Sequence, residues 1–77
     1  MTQPSGPEVR ITLNGQEKAV PAGLSVASLL DHLELKQDRV AVELNREIVP
    51  KSRWQDAEVE DGAQVEIVHF VGGGSRG

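Results

Sequence analysis

Residues 65–71, Val-Glu-Ile-Val-His-Phe-Val, run straight into Gly72, Gly73 and Gly74. Successive glycines offer no side chain to a packed core, but they can pass another protein's backbone at close range. Extended, residues 71–74 reach about 13–14 Å. A glycine carboxylate at the end of such an arm is a poor acyl electrophile. It becomes reactive once a partner enzyme uses ATP to turn it into an acyl-adenylate. The tail is then a substrate and the body a handle. The plainer use of a glycine run is a flexible linker. Ser75, Arg76 and Gly77 follow, so the Gly74 carbonyl is an amide in the chain as it stands.

The rest of the chain holds little that could do catalysis. There is no cysteine, hence no thiol nucleophile, thiolate metal site or disulfide, and any sulfur chemistry needs sulfur from outside. His32 and His69 lie on different elements without a third ligand at metal spacing, so surface or strand-packing roles are the better reading. Ser25, Ser28 and Ser52 lack a G-x-S-x-G setting. The twelve carboxylates read as a solvated surface. The glycines precede no helix and no Gly-Lys-Ser/Thr, which excludes a phosphate loop.

A chain of 77 residues allows one small domain. A net charge of −4 speaks against nucleic acid, whose phosphates favour a basic face. No apolar stretch approaches the roughly 18–20 residues of a membrane span. Residues 1–7 lack the basic and apolar regions of a signal peptide and are expected to be a flexible leader. The lack of cysteine fits a reducing cytoplasm, the expected location.

Val9, Ile11 and Leu13 alternate with polar residues, as in a half-buried strand. Asn14-Gly15 is a strong hairpin signal, and residues 17–20 form the returning strand. Ser25 is placed to cap a helix over residues 25–33. Val26, Leu29, Leu30 and Leu33 form its apolar stripe. Val40, Val42 and Leu44 resume the strand period, with Ala41 suggesting a central position. Asn45-Arg46 turns the chain into a short strand at 47–49, and Pro50 stops it. Residues 51–56 show no period. Asp61-Gly62 turns into the last strand, residues 65–71.

The order β-β-α-β-β-β, with a single apolar helix face, calls for one mixed sheet of four or five strands packed on one helix. First and last strands can then run parallel at the centre. This is an α+β, β-grasp arrangement. Residues 8–71 form the domain, and residues 72–77 are expected to be a flexible tail. Val9, Ile11, Leu13, Val40, Val42, Val65 and Ile67 are expected to face the helix.

The ending Asp61-Gly62-x-x-Val65-Glu66-Ile67-Val68-x-Phe70-Val71-Gly72-Gly73-Gly74 resembles the C-terminus of the ThiS family. The likeness extends through residues 44–51, Leu-Asn-Arg-Glu-Ile-Val-Pro-Lys, to Trp54 and the Leu13-Asn14-Gly15 hairpin. It covers residues 9–74, and the ending is its specific part. The resemblance implies a ubiquitin-like β-grasp sulfur carrier of thiamine biosynthesis, acting as a protein substrate and not as an enzyme. A ThiF-like enzyme with ATP and magnesium would adenylate the terminal glycine. Sulfur from cysteine, brought by a sulfur-transfer protein, would give a thiocarboxylate, and a ThiG-like thiazole synthase would receive the sulfur. The carrier itself binds no cofactor. Carried onto this chain, Gly74 bears the sulfur, Gly72 and Gly73 thread the partner's channel, and Val68 and Phe70 dock or else pack in the sheet.

Family members commonly end at the glycine. Here a protease must trim after Gly74, or the last three residues are an addition, or Gly77 is the modified end, with bulky Arg76 in the channel. Carriers for molybdopterin, cysteine or methionine synthesis share fold and tail. A ubiquitin-like modifier or interaction domain is the alternative of a different class.

Overall fold

A computed structural model describes residues 6–70. Five strands form one sheet: β1 Glu8–Leu13, β2 Gln16–Pro21, β3 Val40–Leu44, β4 Glu47–Ile48 and β5 Gln64–His69. One helix, α1 Val26–His32, lies between β2 and β3 in sequence. The strand order is β2-β1-β5-β3-β4. β1 and β5 run parallel, and the other neighbours pair antiparallel. The expected β-grasp order and the parallel pairing of first and last strands are both present.

Two tight turns set the hairpin registers. Asn14 and Gly15 have φ of 49° and 84°, and Asn45 and Arg46 have 53° and 71°. Two successive positive φ values give the primed turn whose twist matches that of paired strands. Leu13 therefore pairs with Gln16, and Leu44 with Glu47.

Ser25 caps α1 as expected, its Oγ accepting from the Ser28 N–H at 3.1 Å. The far end closes by a double bond: Leu35 N–H donates to Leu30 O at 2.9 Å and Glu34 N–H to Asp31 O at 3.0 Å. This closure needs a left-handed residue, a place usually taken by glycine. Here it is Glu34, with φ of 62°.

The core joins Val26, Leu29 and Leu30 of the helix to Ile11, Val20, Val40, Val42, Val65 and Ile67 of the sheet. Three expected core residues, Val9, Leu13 and Leu33, are only partly buried, because they lie at the ends of their elements where the opposing layer runs out. β3 is interior but not the middle strand, since β5 takes that place. The run at 51–56, read as periodless, contains a 3₁₀ turn at Lys51–Arg53 that delivers Trp54 into the core at 3% exposure. Its indole N–H donates to Val49 O at 2.8 Å, so the ring is buried without an orphaned donor. Val59 and Ala63 complete the core from the same loop region. A second 3₁₀ turn at Gln37–Arg39, unforeseen, leads into β3.

β5 is shorter than expected: it ends at His69, Phe70 lies just beyond it, and Val71 is outside the described residues. Residues 1–5 and 71–77, which hold most of the expected leader and the whole glycine tail, lie outside them too.

Two substitutions test this packing. Leu29→Ala, at a fully buried site, should cost about 2–5 kcal/mol in chemical denaturation. Glu34→Gly should instead raise stability by up to ~1 kcal/mol, because it relieves the left-handed backbone that the helix closure imposes. An unchanged denaturation midpoint in either variant would contradict the corresponding assignment.

Candidate functional site

β5 carries the chain toward the glycine tail, so its fixing determines where the tail departs. On one edge Thr12 N–H donates to Ala63 O and Asn14 N–H to Val65 O, each at 2.9 Å. β1 then ends at its turn, and the Asn14 side chain continues the ladder. Its Oδ1 accepts from Ile67 N–H at 2.8 Å, and its Nδ2 donates to Ile67 O at 3.3 Å. A side-chain amide presents one donor and one acceptor, as a peptide group does, so it can stand in for the next residue of a strand.

The second turn asparagine works from the opposite edge. Asn45 N–H donates to Gln64 O at 2.7 Å, and its Oδ1 accepts from Gln64 N–H at 3.0 Å. At the end of β5, Phe70 N–H donates to Arg39 O at 2.9 Å. Backbone pairing to the β3 side thus reaches Phe70, next to the tail.

Alternation along β5 sorts its side chains. Val65 and Ile67 enter the core, while Glu66 and Val68 face outward. Of the two outcomes left open for Val68 and Phe70, the structure places both in solvent, at 58% and 56% exposure. Ile48, which sequence reasoning passed over, is the most exposed large apolar residue described, at 73%. The turn chemistry carried the missing signal. A two-residue turn at Asn45-Arg46 pairs Ile48 with Glu43, an outward residue of β3, and so turns Ile48 outward as well. Ala41, opposite Val68, adds to the same face.

His32 and His69 are both exposed, on α1 and β5, and no group of three metal-ligating residues occurs among the described residues. No helix among them is long and apolar enough to cross a membrane. Gly72, Gly73 and Gly74, expected to carry the chemistry, lie outside the described residues. What the described residues assemble is a fixed middle strand, β5, flanked by an exposed apolar face.

The pattern of the ThiS family matches residues 8–74. This chain belongs to the ThiS family. It is 33% identical to the sulfur carrier protein ThiS of Escherichia coli, over 86% of this chain and all of that one. The solved thiamine biosynthesis protein ThiS of Geobacter metallireducens superposes with a TM-score of 0.74 at 36% identity, covering 86% of this chain and 100% of that one. This chain is also 45% identical, over 87% of its length, to a thiazole synthase of Paramagnetospirillum magneticum, of which it spans only 21%. The β-grasp fold is that of the family.

Asn14→Gly would keep the positive φ acceptable and remove only the side chain that extends the ladder. The loss of two bonds to a part-buried peptide should cost about 1–3 kcal/mol. The Ile67 amide should lose hydrogen-exchange protection more than the buried Val59 amide, which donates to Leu24 O. Equal loss at both amides would show that Asn14 acts on global stability alone.

Proposed function

We propose that this chain is a sulfur carrier of thiamine biosynthesis and that Gly74 is the residue that carries the sulfur. Membership in the ThiS family, by a match that runs through the glycine triplet and stops at Gly74, is the observation that carries this reading. The relatives named as ThiS sulfur carriers favour the thiamine branch over molybdopterin, cysteine or methionine synthesis, and over a modifier role.

Hydrolysis of the Gly74–Ser75 amide by a processing protease first frees the carboxylate. A carboxylate oxygen of Gly74 then attacks the α-phosphorus of magnesium-bound ATP on a ThiF-like enzyme, and pyrophosphate leaves. Sulfur delivered at the sulfide level by a sulfur-transfer protein attacks the acyl carbon, and AMP departs with its oxygen, leaving a thiocarboxylate. A ThiG-like thiazole synthase consumes that sulfur. Gly72 and Gly73 thread the channel, since any Cβ would widen the arm and narrow its backbone freedom. Val68 and Phe70 lie where the domain would meet a partner. In this scheme the protein is a substrate in the cytoplasm, with ATP and magnesium held by the activating enzyme.

Chain ending at Gly74, mixed with a ThiF-like enzyme and magnesium-ATP, should support ATP–pyrophosphate exchange. With a sulfur-transfer system, intact mass should show one terminal oxygen replaced by sulfur. The 77-residue chain should do neither. Gly73→Val in the Gly74-ended form should slow adenylation at least about tenfold with the fold intact, because a β-branched residue is both wide and stiff. Equal activation of the trimmed and untrimmed chains would assign the chemistry to Gly77 or to a function other than sulfur carriage.

A further inference from the structure

Asn14 ties the middle strand, and glycine follows it in the chain. An asparagine in that position carries chemistry of its own. The next residue's backbone nitrogen can attack the side-chain carbonyl carbon, and glycine puts no Cβ in the way. The two asparagines of the chain, Asn14 and Asn45, begin matching turns with φ of 49° and 53°. Gly15 follows the first and bulky Arg46 the second. Gly15 is exposed, and its N–H has no hydrogen-bond partner among the described residues. Nothing stands within 4 Å of where a Cβ on it would lie. At the comparable step Asp61-Gly62, by contrast, the Gly62 N–H is tied to Arg10 O at 2.7 Å. The Gly15 nitrogen is thus open to solvent base, while its target is restrained. Oδ1 and Nδ2 of Asn14 are both held by the Ile67 peptide, at 2.8 and 3.3 Å. Carrying Cγ onto the Gly15 nitrogen pulls both atoms off the strand.

We propose that Asn14-Gly15 is a deamidation site which the closed middle strand protects, and that conversion of Asn14 keeps β5 from closing again. The Gly15 nitrogen gives its proton to solvent base and bonds to Cγ of Asn14. The side-chain nitrogen takes a proton from water and leaves as ammonia, and a cyclic imide remains. A water molecule then opens the imide at either carbonyl. Opening at Cγ gives aspartate, and opening at the main-chain carbonyl gives isoaspartate, whose backbone runs through Cγ. Aspartate keeps an acceptor for the Ile67 N–H but sets a second acceptor against Ile67 O, where Nδ2 donated. Isoaspartate adds a methylene to the turn, so the Leu13–Gln16 register that a two-residue turn sets is lost. Either product removes the amide that continues the parallel ladder past the end of β1. The inference is independent of the sulfur-carrier reading, because it concerns only how the fold holds its middle strand.

The test incubates the 77-residue chain at mildly alkaline pH, folded in buffer and unfolded in guanidinium. Fragmentation mass spectrometry locates the mass gained when a side-chain NH₂ becomes OH. In guanidinium Asn14 should convert at least about tenfold faster than Asn45, because Gly15 leaves the attack unhindered. Folding should slow Asn14 at least about tenfold, since conversion then waits for β5 to open. Guanidinium below the unfolding transition should raise that rate in step with hydrogen exchange of the Ile67 amide. The converted fraction gains a negative charge, so anion exchange separates it from unconverted protein. Its Ile67 amide should exchange at least about tenfold faster than in unconverted protein. Loss of the whole fold in that fraction would support the proposal equally. The proposal is overturned if Asn14 converts no faster than Asn45 in guanidinium, or if the folded chain converts Asn14 as fast as the unfolded one. It is also overturned if the converted fraction keeps the Ile67 protection of unconverted protein.

Discussion

Backbone hydrogen bonds on both edges of β5 hold the middle of the sheet, and most other features serve that arrangement. A strand paired on both sides and backed by a helix opens only when much of the domain opens. β5 is such a strand, parallel to β1 and antiparallel to β3, with Val65 and Ile67 buried beneath α1. The last described residues before the glycine triplet therefore leave from one of the most securely fixed parts of the fold.

The anchoring depends on two asparagines that each do two tasks. Asn14 and Asn45 adopt the positive φ that tight turns require, a conformation asparagine tolerates better than most residues. Each also spends its side-chain amide on the β5 backbone, from opposite edges and near opposite ends of the strand. Without Asn14 the parallel pairing would stop where β1 turns away, and the Ile67 peptide would face the gap. The same turns fix which face Ile48 takes, so turn chemistry shapes the exposed surface as well as the ladder.

Strand alternation then divides the sheet into two environments. Val42, Val65 and Ile67 close the core against the helix, while Ala41, Glu43, Ile48, Glu66 and Val68 collect on the reverse side. The chain between β4 and β5 completes the helix side. Trp54 plugs the core, and Val26 N–H and Ala27 N–H donate to Ala57 O and Trp54 O at 2.8 and 3.0 Å, tying the start of α1 to that loop. The helix can therefore remain short, because neighbouring backbone satisfies the donors that its first turn leaves free.

Much of this was legible in the sequence because the signals are local. Period-two alternation, Asn-Gly and Asn-Arg turns, a serine before an apolar stripe and the single helix together specify a β-grasp order. The ending through Gly74 by itself points to the family. What the tertiary structure decided was every feature set by elements distant in sequence. Trp54 is buried because a 3₁₀ turn without hydrophobic period is folded over the helix start. Val68 is exposed although it belongs to the strongest strand-former in the chain, because β5 is covered on one face only, and Phe70 is exposed just past the strand's end. Glu43 and Glu66 face each other only once β3 and β5 adopt their register. Local propensity acts over a few residues and so can be read along the chain. Burial, and the meeting of two like charges, depend on which strands become neighbours, and no window of sequence contains that.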